Sequence, residues 1–371
     1  MKFNLHKKFI FIVISFFAGI VTTFPQTSWK YMKPEQKYEV YFTPIPGDAL
    51  DITSYLPKNF VKDKSADYTE ILQKAIDENK IVLLPNFPVK IGKKGLRIPS
   101  DRKIYFNKKS EIYFDSDAKG RLDDAIKIYD VENVSIYNAN VKGNRKENKK
   151  QQGEWSAGIA ILNSKNILIQ NFIIADTWGD GLFVGSEDLK YSQDITIKNG
   201  VIDNARRNGI SITSVRNALL SEINISNTNG TAPQCGIDIE PSVAEEILDN
   251  VYLSNIFTYN NANAGLNINL NALSVLDIRN RKYVSILIDN HIDNYSYGGF
   301  STSLNVYNKY YDAGGVIRVQ NSDWTKAKIP FSRTSNSATV KIYYKNIYHI
   351  DEKGNNKFKK LASDRNVFIE K

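Results

Sequence analysis

A short pattern repeated through the middle of the chain constrains the fold more than any other feature. The pattern is a glycine, an apolar residue, any residue and a second apolar residue. It occurs at Gly181, Gly209, Gly236 and Gly265, with steps of 28, 27 and 29 residues, and more weakly at Gly158. Repetition at a period of this size predicts a solenoid, in which each repeat stacks on its neighbours.

The side chains within each copy alternate with the period of a β-strand. The residues one and three positions after each of the four strong glycines are Leu, Ile or Val, so we expect them to point into the core. Parallel strands stack about 4.8 Å apart, and the side chains between these positions would form one continuous outer wall. The expected wall residues are Phe183, Ser211, Asp238 and Asn267, followed two positions later by Gly185, Thr213, Glu240 and Asn269.

A second set of alternating strands lies between the glycine strands. Four of these strands end in asparagine, at Asn138, Asn171, Asn199 and Asn255, whereas Glu222 breaks the pattern. Asparagine tolerates the left-handed backbone conformation of tight turns. Each turn therefore carries at least two strands and no helix between them. We predict an all-β fold, a right-handed single-stranded parallel β-helix (solenoid) with an N-terminal capping helix.

The flanking segments are expected to be caps and a leader. Residues 67–77 form an amphipathic pattern, with Asp67 as the expected N-cap and Glu70 as its capping-box partner. This helix would cover the first turn of the solenoid, whose open end would expose core and strand edges. The predicted organisation is a signal peptide at 1–26, an N-terminal segment and cap at 27–115, the parallel β-helix at 116–325 and a C-terminal cap at 326–371.

The N-terminus has the features of a secretory signal. Lys2, Lys7 and Lys8 precede an uncharged apolar run over residues 9–21, which is shorter than the roughly 20 residues that span a bilayer. We therefore expect a secreted or periplasmic protein without stable membrane insertion after cleavage. Its only cysteine, Cys235, cannot form an internal disulfide, and we interpret it as a packed small residue rather than a nucleophile.

The formal charge of +9 narrows the choice of partner. A basic surface could attract an acidic polysaccharide or a nucleic acid. Most of the excess consists of scattered lysines, which are typical of solvated loops. Because export argues against nucleic acid, we predict a polysaccharide as the partner, with an acidic polysaccharide as one option.

Three stretches resemble a known family. The segment from Asp67 to Pro85, the segment from Leu96 to Phe106 and the repeated asparagine-ended strands are similar to the N-terminal half of the pectate lyase superfamily, including polygalacturonase-like proteins and phage-type β-helix depolymerases. The resemblance covers roughly residues 48–320. It implies a right-handed β-helix that acts on a polysaccharide in a groove along one parallel sheet.

The chain departs from the polygalacturonase pattern at the residues that carry that chemistry. The Asn-Thr-Asp, Asp-Asp, Gly-His-Gly and Arg-Ile-Lys motifs are not present in order. Asp180 lies between two glycines but lacks the paired aspartate, and the histidines after the predicted leader are His291 and His349. The resemblance therefore does not imply activity of the polygalacturonase type.

Asp238 and Glu240 are the first candidates for catalysis. They share one face of one strand, so their Cα atoms should be about 6.5–7 Å apart. Glycoside hydrolases place two carboxyl groups about 5–5.5 Å apart to retain configuration and about 6.5–9.5 Å apart to invert it. Side-chain reach allows either spacing, with inversion slightly favoured, and the like charges should raise one pKa and supply an acid. The alternative is a polar face with two solvated acids.

Further candidates surround this pair. Asp180 is the third catalytic candidate, although an aspartate beside glycine is also a common turn residue. Arg206 and Arg207 could clamp a uronate or a sulfate, or form salt bridges between turns. The predicted substrate-binding residues are Trp178, which could stack on a sugar, with Arg206, Arg207, Asn208, Asn267, Asn269, Trp155 and Glu154.

Three functions remain open from the sequence. The first is a secreted glycoside hydrolase that uses Asp238, Glu240 and Asp180. The second is a polysaccharide lyase or epimerase with an arginine base, for which calcium is an optional ion that Asp180, Asp203, Asp238 and Glu240 could bind. The third is a non-catalytic glycan-binding or adhesion solenoid. We predict no metal site and no cofactor other than this optional calcium.

Overall fold

A computed structural model describes residues 41–117, 120–148, 153–304, 310–335, 339–347 and 366–370. The predicted signal peptide and the residues that follow it to position 40 lie outside these ranges, as does His349. Within the described ranges, no helix has both the length and the apolar character needed to cross a membrane.

The described residues form one α-helix, three short 3-10 helices and 25 strands. The α-helix α1 is Thr69–Glu78, and the 3-10 helices are Ile52–Tyr55, Asn271–Leu273 and Ile278–Asn280. The first strands are β1 (Leu50–Asp51), β2 (Ile81–Leu83), β3 (Pro88–Gly92), β4 (Leu96–Arg97), β5 (Arg102–Tyr105), β6 (Glu111–Asp115), β7 (Ile126–Tyr129), β8 (Glu132–Tyr137), β9 (Asn140–Gly143), β10 (Ile159–Leu162), β11 (Lys165–Ala175) and β12 (Leu182–Gly185). The remaining strands are β13 (Ser192–Asp203), β14 (Ile210–Ile212), β15 (Val215–Ser226), β16 (Ile237–Ile239), β17 (Leu248–Tyr259), β18 (Ala264–Asn269), β19 (Tyr283–Asn294), β20 (Gly298–Ser303), β21 (Gly314–Gln320), β22 (Asp323–Lys326), β23 (Ile329–Ser335), β24 (Val340–Lys345) and β25 (Val367–Glu370).

All paired strands run parallel and belong to two sheets. The glycine strands form a nine-stranded sheet, here the glycine sheet, in the order β23-β20-β18-β16-β14-β12-β10-β7-β4. Its register follows the repeat, because Leu182 pairs with Ile210, Ile210 with Ile237 and Ile237 with Leu266. The other sheet has 16 strands among the described residues. The prediction of an all-β, right-handed parallel β-helix is confirmed.

The long strands of the second sheet bend at the asparagine positions. Asn171, Asn199 and Asn255 have φ values of 58°, 54° and 53°, and Glu222 takes the same conformation at 56°. The left-handed conformation expected at these positions is therefore present. The prediction that the strands end there is wrong, because β11, β13, β15 and β17 continue for several residues past the bend. The bend changes the strand direction while pairing resumes on both sides.

The inward residues of every turn pack into one continuous apolar core. Ile210, Ile212, Ile237 and Ile239 of the glycine sheet are all fully buried in it. Cys235 is also fully buried and is a free thiol, and burial raises its pKa well above the usual value. This agrees with a packed small residue, since a thiol is a poor nucleophile unless it is ionised.

Helix α1 packs on the core through Leu72, Ala75 and Ile76, as its amphipathic pattern predicted. Its expected start was wrong. The helix begins at Thr69, and Asp67 instead accepts hydrogen bonds from the backbone nitrogen and the hydroxyl of Thr69. Glu70 pairs with Lys94 at 2.6 Å rather than closing a capping box.

Parallel stacking extends beyond the predicted β-helix limits of 116 and 325. Before residue 116, β5 already pairs with β8 and β3 with β6. After residue 325, β23 extends the glycine sheet while β24 and β25 extend the second sheet. Turns of the solenoid thus occupy parts of both segments that the sequence assigned to caps.

Candidate functional site

A cleft of about 410 Å³ lies on the outward face of the glycine sheet. Seven of the predicted site residues line it, namely Glu154, Trp155, Asp180, Arg207, Asp238, Glu240 and Asn269. They come from turns far apart in sequence, and the parallel register brings them together. Trp178, Arg206, Asn208 and Asn267 do not line it.

Asp238 and Glu240 lie on the cleft wall, at the end of β16. Asp238 is almost fully buried, and its carboxylate accepts hydrogen bonds from the side-chain amides of Asn267 at 2.8 Å and Asn208 at 3.2 Å. Asn269 donates to Glu240 in the same way. The amides of Asn208, Asn267 and Asn269, which were predicted to contact substrate, therefore each orient a carboxyl group of the protein. Asn208 and Asn267 support Asp238 from outside the cleft lining.

The two carboxyl groups interact directly. Burial, the charge of Glu240 and a hydrogen bond shared with Glu240 raise the pKa of Asp238 to about 7, while Asn267 and Arg207 oppose this rise. Carboxyl groups in hydrogen-bond contact are closer than the spacings of either hydrolase class. The expectation that these two residues flank one glycosidic bond is therefore wrong, and Glu240 instead raises the pKa of its neighbour Asp238.

Asp180 lies beside Arg207 at a second position in the cleft. Arg207 Nη1 donates to Asp180 Oδ2 at 3.0 Å, and the backbone nitrogen of Asn208 donates to Asp180 Oδ1 at 3.0 Å. Burial raises the pKa of Asp180, and Arg207 opposes this effect. The pKa of Arg207 is raised, chiefly by Asp180, so its guanidinium stays charged. A charged guanidinium at this distance favours the carboxylate form of Asp180.

Two polar side chains separate Asp180 from Asp238. Arg207 Nη1 also donates to Ser211 Oγ at 3.2 Å, and Asn208 Nδ2 donates to the same hydroxyl at 3.0 Å. Asn208 then contacts Asp238. The cleft therefore holds Asp238, whose pKa is raised to about 7, and a separate ion pair of Asp180 with Arg207, and the two are joined through Asn208 and Ser211.

The predicted sugar platform at Trp178 is wrong. Its side chain is only 5% exposed, and the Arg206 guanidinium covers the ring at 4.2 Å from the centroid. Arg206 also donates to the backbone oxygen of Gly153, so it serves as a local clamp outside the cleft. Trp155 is the predicted tryptophan that does line the cleft, with 41% of its surface exposed.

Asp124 is a cleft residue that the sequence analysis missed. It is buried, and it accepts hydrogen bonds from the Tyr129 hydroxyl and from the backbone nitrogen of Ala157. Burial raises its pKa to about 6. Its strand has alanine where the repeat has glycine, so the pattern search passed over it, although Asp124 precedes Ile126 as Asp180 precedes Leu182.

The rest of the cleft combines an apolar floor with a charged rim. Ala160, Leu162 and Phe183 pack together on the outward face of the glycine sheet. At the rim, Arg121 pairs with Glu187 at 2.8 Å and lies 5.7 Å from the centroid of the Trp155 ring. An apolar floor below polar walls suits the apolar face and the hydroxyl edge of a sugar ring.

The described residues contain no group of three or more His, Cys, Asp or Glu side chains arranged to hold a metal ion. Asp203, considered as a calcium ligand, does not line the cleft and instead accepts hydrogen bonds from Ser226 and Asn227. His291 is fully buried and bonded to Trp324 and Thr258.

These features define a right-handed parallel β-helix protein. A family model described as "Right handed beta helix region" matches residues 89–244. The chain is 32% identical over 208 residues to "Uncharacterized protein YclG" of Bacillus subtilis (strain 168), a match that covers 51% of this chain. The matched region spans about a third of that relative's length, at 34%.

Solved structures show the same fold at low sequence identity. PfbA, a surface adhesin of Streptococcus pneumoniae, superposes with a TM-score of 0.60 at 12% identity, covering 81% of this chain and 78% of PfbA. A tailspike protein variant of E. coli bacteriophage HK620, in complex with a pentasaccharide, gives 0.54 at 9% identity, covering 81% and 57%. A polygalacturonase from Erwinia carotovora ssp. carotovora gives 0.52 at 14% identity, covering 84% and 89%.

Proposed function

We propose that this protein is an exported glycoside hydrolase that cleaves a polysaccharide in the cleft of the glycine sheet. The observation that carries the proposal is the arrangement of its carboxyl groups. Asp238 lies beside Glu240 and has a pKa raised to about 7, while Asp180 is held beside Arg207 and separated from Asp238 by Asn208 and Ser211. An acid and a separate carboxylate in one cleft are what glycoside hydrolysis requires.

Each carboxyl group has a role in this reaction. Asp238 donates its proton to the glycosidic oxygen as the bond from that oxygen to the anomeric carbon breaks. A water molecule attacks the anomeric carbon and gives its proton to the Asp180 carboxylate. Glu240 keeps the proton on Asp238 before reaction, because its negative charge disfavours ionisation of its neighbour.

The state of Arg207 supports hydrolysis over the lyase alternative. A lyase base must be able to give up its own proton before it removes one from the sugar. Arg207 is instead held in its charged form by Asp180, with Glu154 3.4 Å away on its other side. Arg206 lies outside the cleft.

Glycan binding without cleavage is a second candidate. The cleft carboxylates Asp180, Asp238 and Glu240 already accept hydrogen bonds from neighbouring protein groups, as they would in a rigid binding surface. The pneumococcal adhesin and the polygalacturonase both have this fold. Cleavage assays separate the two candidates.

The test is a reducing-end and ultraviolet assay on a panel of neutral and acidic polysaccharides. Wild type should release reducing ends without the absorbance that a lyase product shows through its new double bond. Asp238→Asn and Asp180→Asn should each lower the rate by about 100-fold or more, because each removes one proton-transfer group. Asp249→Asn, at an exposed pair with Arg216, is the matched control and should cleave like wild type.

Three results would contradict the proposal. Cleavage that survives both cleft substitutions would place the chemistry elsewhere, and product with new ultraviolet absorbance would identify a lyase. Glycan binding without cleavage in wild type would identify a binding solenoid. Recovery of the protein from the culture medium, shortened at its N-terminus, is the expected sign of export.

A further inference from the structure

One cleft side chain has a hydroxyl group without a partner. Thr213 follows β14, and its side-chain oxygen is buried without a hydrogen bond, although the residue lines the cleft. Its backbone is paired, with the nitrogen donating to the oxygen of Val184 at 2.9 Å. A buried hydroxyl without a partner costs free energy, so such a group beside a cleft points to a ligand that completes it.

Gly185 packs closely against this hydroxyl. A Cβ atom added to Gly185 would lie 2.2 Å from Thr213 Oγ1 and 2.8 Å from Phe183 Cε1. The backbone at Gly185 does not require glycine, because its φ lies outside the left-handed region. Glycine therefore lets the Thr213 side chain and the Phe183 ring lie close to the backbone at the apolar floor, where a larger residue would displace them.

Acidic side chains outnumber basic ones in the lining of the cleft. Among the described residues that line the cleft, six are acidic and two are arginines. Both arginines are already paired, Arg121 with Glu187 at 2.8 Å and Arg207 with Asp180 at 3.0 Å. Among the described lining residues, a sugar carboxylate or sulfate would find no unpaired cation, and it would face the carboxylates of Glu154 and Glu240.

We propose that Thr213 belongs to a sugar subsite in which its hydroxyl binds a hydroxyl of an uncharged sugar, and that the acidic cleft lining excludes uronates and sulfated sugars. This inference rests on the proposed function for the location of substrate, and it adds the class of substrate. The net charge of +9 belongs to the chain as a whole, whereas the cleft is acidic. The acidic substrate expected from the net charge is thus replaced by a neutral one.

The first experiment compares matched ligands. Neutral oligosaccharides of several linkages are titrated by calorimetry, each beside the same glycan after oxidation of its C6 hydroxyls to carboxylates. Asp238→Asn serves as the titrated protein, since it stops turnover in the proposed reaction and replaces a protonated carboxyl by a neutral amide of the same shape. A neutral glycan should bind roughly tenfold more tightly than its oxidised form, and added salt should narrow the difference.

The second experiment tests the hydroxyl itself in the same background. Thr213→Val keeps the side-chain shape without the hydroxyl, and it should weaken binding of the neutral glycan about fivefold. Thr213→Ser keeps the hydroxyl and should bind as Thr213 does. Thermal unfolding of both variants identifies any loss that comes from misfolding.

The outcomes separate this inference from the proposed function. Binding of the neutral glycan that depends on the Thr213 hydroxyl, without cleavage by wild type, would refute the hydrolase and support the subsite. Equal or tighter binding of the oxidised glycan, binding of neither form, or unchanged affinity of Thr213→Val would overturn the subsite.

Discussion

At the scale of single residues, Glu240 controls the proton on Asp238. Its charge is one of the causes that raise the pKa of Asp238 to about 7, so Asp238 should lose its proton, and the proposed hydrolase its activity, as the pH rises past that value. Glu240→Gln removes this charge and makes Asp238 easier to ionise. The alkaline limb of the pH–rate profile should therefore move down by roughly one pH unit.

The measurement is the rate of reducing-end release from about pH 4 to pH 9. Glu240→Gln should lose most activity at neutral pH and less in acid. Glu245→Gln changes an exposed glutamate close in sequence and should keep the wild-type profile. An alkaline limb that stays in place in Glu240→Gln would show that Glu240 does not hold this proton.

A second titrating group lies in the core, far from any solvent. Asp293 is fully buried and accepts a hydrogen bond from Thr258 at 2.7 Å, and burial raises its pKa to about 7. The folded protein therefore keeps this proton up to about pH 7, whereas the unfolded chain loses it near the ordinary aspartate value of about 4. The contribution of Asp293 to the free energy of unfolding is therefore fully present in acid and is lost as the pH rises through about 7.

Asp293→Asn should remove this loss of stability at rising pH. Relative to wild type, its free energy of unfolding should rise by about 2–4 kcal/mol between about pH 4 and pH 7, whatever the offset at acid pH. Urea unfolding at several pH values measures the difference. His291 contributes the opposite slope in both proteins, because burial lowers its pKa to about 3. Parallel curves for the two proteins would show that Asp293 is ionised in the folded state.

At the scale of elements, the asparagines at the strand bends form hydrogen bonds between neighbouring turns, and Glu222 is the exception among them. Asn199 Nδ2 donates to Asn171 Oδ1 at 2.6 Å, and Asn290 donates to Asn255 at 2.7 Å. Glu222 lies between these two pairs in the left-handed conformation. Asparagine adopts this conformation more readily than glutamate and can bond to both neighbouring bends.

Glu222→Asn should therefore stabilise the protein by about 0.5–1 kcal/mol, which thermal or urea unfolding can resolve. Glu222→Gln removes the same charge without the conformational preference, and it should stay within about 0.5 kcal/mol of wild type. A gain in both variants would mean that charge, and not the bend, limits stability at this position.

The repeating elements could be predicted from the sequence because their constraints are local and recur. The residue after each glycine must face the core, and asparagine suits each bend, so the register of Leu182, Ile210, Ile237 and Leu266 could be predicted. The continuation of the strands past Asn171 could not be predicted in the same way. A left-handed residue usually ends a strand, and only pairing on both sides of it shows otherwise.

The site was harder to predict because it depends on how side chains from different turns meet. Position in the repeat brought Asp180, Asp238 and Glu240 to one face, but it could not show that Arg206 covers Trp178. It also could not show that Glu240 raises the pKa of Asp238, since side-chain rotamers decide whether the two groups meet. Asp124 was not predicted as a site residue because alanine replaces glycine in its turn, although its position matches that of Asp180.

At the scale of the whole molecule, the two ends of the core are filled differently. At the N-terminal end, Leu72 of α1 is buried in the core. Near the other end, Phe300 stacks on Trp324 with ring centroids 4.9 Å apart, and Phe331 and Tyr344 meet them edge to face. In a solenoid each turn contacts only its neighbours, so damage at one end should stay local.

Leu72→Ala tests this locality. Loss of a buried leucine should cost about 2–5 kcal/mol. Amide hydrogen exchange should speed up in β2, which follows the helix in sequence, and in β5, whose first residue Arg102 donates to the backbone oxygen of Ile76. Exchange in β16, which positions Asp238, should stay close to wild type, and so should glycan cleavage measured below the unfolding transition. Lys74→Ala changes an exposed position of the same helix and should leave stability within about 0.5 kcal/mol. Faster exchange in β16 together with β2 would show instead that the solenoid opens as one unit. The cap and the cleft would then open with the same free energy.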